Sequence, residues 1–342
     1  MSDFNINNIT SREGQQGTVL AGITTVNSTG AMRVPSGPTD HRGGRGRGFF
    51  GGGYQATPAG NSKRVSYIEI ATTGNSVSFG DLTVARQKCA SFASATRGIW
   101  AGGKTPSNTT AIDYIVTSSQ GGANDFGDLI VANKPDNTGV SDSTRGMTGG
   151  GENPAVNNTI EYVTMASTGG ASEFGDLMMS AGSICAMSSP TRGIWAGGAD
   201  PAVYNNIQYI TIQTTGNAID FGDLIAATKS AGGCSSPTRG LIMGGQAPAD
   251  TNVISYITMA TLGNATDFGD LTVSCRALYT FSSKTRGISG GGEDTPASPY
   301  LRNHIDYVTI AATGNATDFG DIVTSAQGWG AGCSDSHGGL GD

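Results

Sequence analysis

The sequence predicts an all-β fold, a six-bladed β-propeller closed by a C-terminal strand, because three motifs each recur six times. An Arg-Gly pair recurs at intervals of 50, 48, 47, 47 and 47 residues. The other two motifs are Phe-Gly-Asp and a tyrosine in the pattern Ile/Val-x-Tyr-Ile/Val. Three independent motifs that each occur six times identify a repeat architecture. The markers begin at Arg47, Arg97, Arg145, Arg192, Arg239 and Arg286, at Phe79, Phe126, Phe174, Phe221, Phe268 and Phe319, and at Tyr67, Tyr114, Tyr162, Tyr209, Tyr256 and Tyr307.

Each repeat holds four strand candidates, as the repeat around Arg239 illustrates. Its candidates are KSAGGCSSPT, RGLIMGG, ISYITMATLGN and DFGDLTVS. Short runs of Val, Ile, Thr and Tyr between Gly, Asn and Pro are typical of strands, and no stretch has helical spacing of useful length. Four strands in a repeat of this length are typical of a propeller blade, which buries both faces against its neighbours.

The two ends of the repeat region predict how the ring closes. The first copy, GRGFFGGG, begins directly at its second strand near Arg47, and the last copy continues past Phe319 into SAQGWGAGCSDS. That stretch aligns with the first strand of a repeat, so we expect it to complete the first blade. Closure removes open sheet edges, which otherwise invite aggregation. The predicted domains are an extended N-terminal arm over residues 1–45 and the propeller over residues 46–342.

Composition excludes several classes of protein. The chain has 342 residues, of which 54 are glycine and 14% are charged, so neither a helix bundle nor a coiled coil fits, and no Gly-X-Y period indicates collagen. A net charge of −7 argues against a nucleic-acid partner. No apolar run approaches the length of a membrane span, and no secretory signal is seen in MSDFNINNITSREGQQ. Five scattered cysteines indicate neither a disulfide framework nor a zinc site.

The repeat resembles the kelch repeat, in which an apolar second strand ends in Gly-Gly and an alternating strand with an aromatic residue follows. A kelch unit usually carries a tryptophan after its third strand, whereas Phe-Gly-Asp occupies that place here. The resemblance covers roughly residues 46–342 and implies architecture only. The Gly-Gly doublets are Gly102-Gly103, Gly150-Gly151, Gly197-Gly198, Gly244-Gly245 and Gly291-Gly292.

The N-terminal segment is similar to leaders of virion proteins from tailed marine phages, mainly those that infect cyanobacteria. The similarity lies in STGAMRVPSGPT, which leads into RGGRGRG, and in repeats such as IDYVTIAATGNATDFGD. It implies a non-enzymatic structural or tail-fibre-like protein, assembled in the host cytoplasm, located in the virion and oligomeric in the particle. Residues 1–45 would contact other virion proteins, and the propeller would serve host attachment or subunit contacts. RGGRGRG also resembles an RNA-binding tract, although a hinge is the favoured interpretation.

Candidate binding residues lie where the repeats differ, in the loops that follow the Gly-Gly doublets. Loops on a rigid scaffold are common binding sites, and aromatic side chains are common anchors. We expect these loops to share one face and to contact a host-surface glycan or protein, the longest of them being EDTPASPYLRNH. Positions that recur in every repeat are predicted to be structural, with each arginine bonded to carbonyl groups or to an aspartate such as Asp223 or Asp270. The candidate residues are Tyr54, Lys104, Tyr204, Tyr300, Arg302 and His304.

The sequence provides little for catalysis. A copper site needs several histidine, tyrosine or cysteine ligands, and the only histidines are His41, His304 and His337. No carboxylate pair stands out for glycoside hydrolysis, and TGNATDFGD lacks the oxygen ligands of a calcium loop. We therefore predict no enzyme activity, no metal and no cofactor. Two alternatives remain open, a soluble kelch-type interaction module and a propeller enzyme that acts on glycans.

Overall fold

The computed structural model describes residues 46–133, 135–136, 139–153, 155–294, 300–323 and 327–336. The chain divides into two units, Met1–Arg42 and Gly43–Asp342, and all the described residues belong to the second. They form strands and turns, with no helix among them, so the all-β prediction is confirmed. The predicted arm lies outside the described residues, and its boundary at residues 45 and 46 stays a prediction.

Six four-stranded antiparallel sheets make up the described fold. Their first strands are β6 (Ala90–Ala93), β10 (Gly139–Ser141), β16 (Cys185–Ser188), β20 (Gly232–Ser235), β24 (Tyr279–Ser282) and β29 (Ala331–Ser334). Their second strands are β1 (Arg47–Gly51), β7 (Arg97–Ala101), β11 (Arg145–Gly149), β17 (Arg192–Ala196), β21 (Arg239–Met243) and β25 (Arg286–Gly290). Their third strands are β4 (Arg64–Glu69), β8 (Thr109–Val116), β14 (Thr159–Thr164), β18 (Asn206–Thr211), β22 (Val253–Thr258) and β26 (His304–Thr309). Their fourth strands are β5 (Val77–Asp81), β9 (Asn124–Asn133), β15 (Ser172–Asp176), β19 (Ile219–Asp223), β23 (Thr266–Asp270) and β27 (Thr317–Asp321).

We number the sheets I to VI by their second strands in chain order. Sheet I has the strand order β29-β1-β4-β5, and sheets II to VI each take four strands in sequence order. Two smaller elements lie beside them. One is a three-stranded sheet of β28 (Gln327–Gly328), β2 (Tyr54–Ala56) and β3 (Ala59–Asn61), and the other is a ribbon of β12 (Glu152–Asn153) and β13 (Ala155–Val156).

Sheet I draws its first strand from the far end of the repeat region. β29 runs antiparallel to β1, with Gly48 opposite Ser334 and Gly51 opposite Ala331. This confirms the predicted pairing of the C-terminal segment with the strand at Arg47. β29 also contacts β24 and β6, the first strands of sheets VI and II, and the other first strands contact one another in the same successive way. The sheets therefore have a propeller-like arrangement.

Glycine at the second position of each second strand lets neighbouring sheets approach closely. A Cβ atom on Gly48 would lie 1.8 Å from the ring of Phe281, and one on Gly240 would lie 2.4 Å from the sulfur of Met187. No side chain fits in such a space. The glycine of the Arg-Gly motif is thus required by the packing of one sheet against the preceding one.

The core lies between the sheets. Six hydrophobic clusters each combine side chains from two neighbouring sheets. Trp100 and Trp195 are fully buried in two of these clusters. The indole nitrogen of Trp100 donates to the carbonyl oxygen of Ala331 at 3.1 Å, so sheet II is bonded directly to β29. The apolar surface buried between neighbouring sheets is the main source of stabilisation in this fold.

The repeated arginines, tyrosines and phenylalanines form one stack per sheet. The guanidinium of Arg97 lies 4.6 Å from the ring centroid of Tyr114, and that ring meets Phe126 edge-on at 5.9 Å. The same arginine donates to the carbonyl oxygen of Met165, in the next sheet, at 2.8 Å. The tyrosines also pack against the cluster shared with the next sheet. The stack joins neighbouring sheets, as predicted for a structural motif.

All six repeat arginines donate to a carbonyl oxygen of the next sheet. The sequence left two kinds of acceptor open, carbonyl groups and aspartates, and the structure shows carbonyl groups. No ion pair between a repeat arginine and a Phe-Gly-Asp aspartate such as Asp223 or Asp270 is found in the described part of the chain. Because the guanidinium is desolvated and its acceptor is fixed, each bond is charge-assisted. The acceptors of Arg47, Arg97, Arg145, Arg192, Arg239 and Arg286 are the carbonyl oxygens of Thr117, Met165, Ile212, Met259, Ile310 and Ile70.

Candidate functional site

A small cavity lies among the first strands of the six sheets. Its volume is about 60 Å³, which suffices for a few water molecules. Serine side chains beside it bond neighbouring first strands to each other. Ser235 Oγ donates to the carbonyl oxygen of Ser188 at 2.6 Å, and Ser282 Oγ donates to that of Ser235 at 2.7 Å. These contacts give the cavity a structural role.

The segments between the second and third strands form what we call the loop face. Each begins at a Gly-Gly turn with left-handed backbone, as at Gly102 and Gly103, whose φ angles are 62° and 105°. Neighbouring segments are bonded to each other, since Asn61 Nδ2 donates to the Lys104 carbonyl at 3.0 Å and Asn108 Nδ2 donates to the Glu152 carbonyl at 2.6 Å. These contacts place the segments side by side.

The structure separates the six predicted binding residues into several places. Lys104 is a partly buried bridge residue, paired through its backbone with Gln87 and Asn108. Tyr204 is partly buried, and its hydroxyl donates to the Asp200 carbonyl of its own loop. Tyr204 lies in the loop of sheet IV, whereas Tyr54 lies in the loop of sheet I and Tyr300 in the loop of sheet VI. Much of the longest predicted loop, residues 295–299, lies outside the described residues.

We expected His304 to lie in a loop, but it is the first residue of β26. His304 is paired with Asp321 of β27, so the strand begins one residue earlier than the loop pattern suggests. Its Nε2 lies 2.9 Å from Thr272 Oγ1 and 2.8 Å from Asp306 Oδ1. The hydrogen bond to Asp306 raises the pKa of His304, against the opposing effect of burial. His41 and His337 lie outside the described residues.

Arg302 forms an ion pair with Asp294 on the same segment, and its Nε is buried without a hydrogen-bond partner among the described residues. Its backbone pairs with Gln327, in β28. Arg302 therefore fastens the loop of sheet VI to the strand that leads into sheet I.

Two predicted residues, Tyr54 and Tyr300, meet in one cavity on the loop face. The cavity has a volume of about 550 Å³ and is lined by segments of sheets I and VI and by the residues that precede the first strands. We call it the junction cleft. Its larger lining side chains are Tyr54, Gln87, Glu293, Tyr300, Leu301 and Trp329.

A buried tyrosine anchors the backbone that leads into β2, whose residues Tyr54 and Ala56 line the junction cleft. The hydroxyl of Tyr279 donates to the Gly52 carbonyl at 2.8 Å and lies 3.3 Å from Gln327 Oε1. Complete burial raises the pKa of Tyr279, so the hydroxyl remains a donor at physiological pH. Above it, β2 pairs with β28, with Tyr54 opposite Gly328. The cleft is therefore built on regular hydrogen-bonded backbone.

Trp329 is the residue of the junction cleft that sequence reasoning missed. Its φ angle is 60°, which is uncommon for a bulky side chain. The Lys88 ammonium lies 3.9 Å from the indole centroid, and the Lys88 N–H donates to the Trp329 carbonyl at 2.6 Å. One signal was available: in three of the five other repeats, this position holds a small residue, namely Ser183, Ser230 and Ala277.

Sequence reasoning also missed a buried ion pair beneath the loop face. Arg86 and Asp113 are almost completely buried, with Arg86 Nη2 3.0 Å from Asp113 Oδ2. Arg86 also donates to the carbonyl groups of Ala111 and Trp100, while its Nε has no hydrogen-bond partner among the described residues. This pair binds the segment before β6 to the body of sheet II, so its role is structural.

The described residues contain no cluster of three or more His, Cys, Asp or Glu side chains arranged to hold a metal ion. All five cysteines are buried and free, and burial raises the pKa of Cys185 to about 12. In the described ranges, no helix is long and apolar enough to cross a membrane. Comparison with known proteins found no matching family model and no matching curated protein.

Proposed function

We propose that this chain is a non-enzymatic binding protein of a phage virion, in which a closed six-bladed propeller displays its loop face and residues 1–45 dock to the tail or capsid. The virion assignment is supported by the similarity of the leader and of the repeat style to virion proteins of tailed phages. Closure is supported by the pairing of β29 with β1 and by its contacts with β24 and β6.

The junction cleft is the observation that carries the binding function. Elsewhere, the arginine, tyrosine and phenylalanine of the repeat make the same stack in every sheet, as at Arg97, Tyr114 and Phe126. At the cleft, two loop tyrosines and a tryptophan line one cavity next to hydrogen-bonded backbone. A preorganised site of this kind loses little conformational entropy when it binds.

A binding role also fits the chemistry of the loop face better than catalysis does. The cleft carboxylate, Glu293, is held by the Arg276 guanidinium, whose Nε and Nη2 both lie 3.2 Å from Glu293 Oε2. This charge-assisted ion pair fixes the position of the carboxylate, which gives Glu293 a structural role. The cleft is suited to holding a ligand.

Mass spectrometry of purified particles tests the virion assignment. We expect the chain in fixed stoichiometry with known structural proteins, and we expect a chain that lacks residues 1–45 to fold but to be missing from particles. Absence of the full-length chain from particles, or incorporation of the shortened one at full stoichiometry, would contradict the proposal.

A further inference from the structure

We propose that the junction cleft binds a neutral sugar ring of a glycan, which stacks on Tyr300 and Trp329. The inference deepens the proposed function, because it names the ligand class of the displayed site. It depends on the cleft alone, and it can be tested on the purified protein without particles.

The size of the junction cleft fits a small part of a glycan. Pockets that bind small molecules typically measure about 300–1,000 Å³, and the cleft measures about 550 Å³. It opens on the loop face, where an extended chain can continue beyond the ring that is held. Tyr300 is 52% exposed, so its ring is available to a ligand.

The aromatic side chains of the cleft match the apolar faces of a pyranose. The C–H bonds of a sugar ring carry partial positive charge, and aromatic faces carry the negative part of a quadrupole. The Lys88 ammonium is attracted to the Trp329 ring and fixes its position. A side chain that is held before binding loses little freedom when a ligand stacks on it.

Polar groups of the cleft match sugar hydroxyls, and its carboxylate is paired with an arginine. Neither the Gln87 carboxamide nor the Tyr54 hydroxyl makes a hydrogen bond within the described part of the chain, so both are available to a ligand. Glu293 is neutralised by Arg276, and Arg276 also pairs with Asp250. The described lining residues of the cleft include no cation, so they provide no partner for an anionic ligand, which favours a neutral one.

The same constellation does not recur among the described residues of the other sheets. Trp329 precedes β29, and the residues in the same left-handed conformation before the other first strands have no aromatic ring. Three-stranded pairing of the loop is found in the described residues only at β28, β2 and β3. The residues equivalent to Trp329 are Lys88, Asp136, Ser183, Ser230 and Ala277.

Tryptophan fluorescence provides a test, because the chain has three tryptophans and two of them, Trp100 and Trp195, are fully buried. Quenching by acrylamide therefore reports on Trp329. We would titrate the full-length protein with four neutral polysaccharides, a dextran, a soluble β-glucan, a galactan and a mannan. At least one should protect Trp329 from acrylamide, and sulfated dextran should protect no better than its neutral parent.

Two variants make the test specific to the junction cleft. Tyr300→Ala should weaken the protective polysaccharide about tenfold, as expected for loss of an aromatic anchor. Tyr204→Ala is the matched control, since it removes a loop tyrosine outside the cleft and should leave protection unchanged. In affinity gel electrophoresis with the same polysaccharide, Trp329→Gly should abolish retardation. Glycine accepts the left-handed backbone at this position, and circular dichroism would verify that the variant is folded.

The inference is overturned if none of the four polysaccharides protects Trp329, if protection survives Tyr300→Ala, or if only the sulfated polymer binds. Its failure is distinguishable from failure of the proposed function. A chain that is incorporated into particles but ignores all four polysaccharides is a virion protein with another ligand. A chain that binds a polysaccharide but is missing from particles retains the sugar site and loses the virion assignment.

Discussion

Sheets II to VI enter their second strands through a covalent turn, whereas sheet I builds the same turn from two distant segments. In sheet VI, Ser283 Oγ accepts the Arg286 N–H at 3.1 Å, and the Ser283 N–H donates to the Arg286 carbonyl at 2.9 Å. In sheet I, Asp335 Oδ1 accepts the Arg47 N–H at 2.9 Å, and the Asp335 N–H donates to the Arg47 carbonyl at 3.1 Å.

The split turn keeps every backbone bond of the covalent ones although its two halves are 288 residues apart in sequence. Asp335 Oδ1 also accepts the Gly46 N–H at 3.1 Å. A turn is therefore specified by where its donors and acceptors meet. Chain connectivity only lowers the entropic cost of bringing them together. Whether the non-covalent junction is as strong as the covalent ones can be measured.

Removal of β29 should have the largest effect. A chain that ends at Gly330 leaves β1 without its first-strand partner and exposes the clusters that include Ala331 and Cys333. We expect loss of cooperative thermal unfolding and aggregation through the open edge. A chain that ends at Ser336 keeps the split turn and is the control. Cooperative unfolding of the shorter chain at the control temperature would show that sheet I does not need β29.

Removal of one stacked arginine should have the next largest effect. Arg239→Ala and Arg286→Ala each delete a cation–π contact and two hydrogen bonds to carbonyl groups, all about 3.0 Å long. We expect each variant to lower the free energy of unfolding by about 2–4 kcal/mol in urea titrations.

The two arginine variants differ in the junction that they weaken. Arg239 bonds sheet V to sheet VI, and Arg286 bonds sheet VI to sheet I through Ile70. Equal losses would indicate that the junction with the split-turn sheet is as strong as a junction between continuous sheets. A loss for Arg286→Ala that is smaller by more than the experimental error would indicate a weaker junction.

Truncation of the turn side chains should have a moderate effect. Asp335→Ala removes the acceptor of two backbone N–H groups, and we expect the free energy of unfolding to fall by about 2–3 kcal/mol. Ser283→Ala is the matched change in a covalent turn, and we expect a loss of about 1 kcal/mol. Urea titrations measure the loss of unfolding free energy in both variants. If the two losses are equal, the split turn does not depend on its carboxylate more than a covalent turn depends on its hydroxyl.

The smallest expected effect concerns pH and His304, the first residue of β26 in sheet VI. Because the Asp306 hydrogen bond raises the pKa of His304, protonated His304 stabilises the folded state. This stabilisation is complete below the unfolded pKa of about 6.5 and is lost as pH rises through the folded pKa. His304→Gln should therefore reduce the unfolding midpoint in urea at about pH 5.5 and have less effect at about pH 8.5. A difference that grows with pH would contradict this assignment.

The sequence predicts the strands well because the repeat reports the same local rule six times. The Arg-Gly motif, the Gly-Gly turn and the Phe-Gly-Asp strand are each required by packing or backbone conformation in every sheet. The pairing of β29 with β1 is also readable, since SAQGWGAGCSDS has the small residues of a first strand. When SAQGWGAGCSDS is aligned with KSAGGCSSPT, Asp335 falls opposite the turn residue Ser236, so its role in the turn is also readable from the sequence.

The site is less predictable, because it depends on which loops become neighbours. Tyr54 and Tyr300 are 246 residues apart in sequence, and nothing in their spacing indicates that they share a cavity. Lys104 and Tyr204 look equivalent to them in the loop pattern, but neither side chain lines the cavity. Trp329 is hard to identify from the sequence because it stands directly before a run of small residues that is typical of a first strand. Variation between repeats thus indicates candidates, and only tertiary structure shows which of them meet.

The split turn sets an order of events during translation. Arg47 leaves the ribosome long before Asp335, and at about 5–20 residues per second the interval is on the order of 15–60 s. Throughout that time β1 has a vacant side where β29 will pair. The nascent polypeptide must therefore carry an unsatisfied strand until synthesis reaches residue 334, and a chaperone or a neighbouring nascent chain has that long to find it.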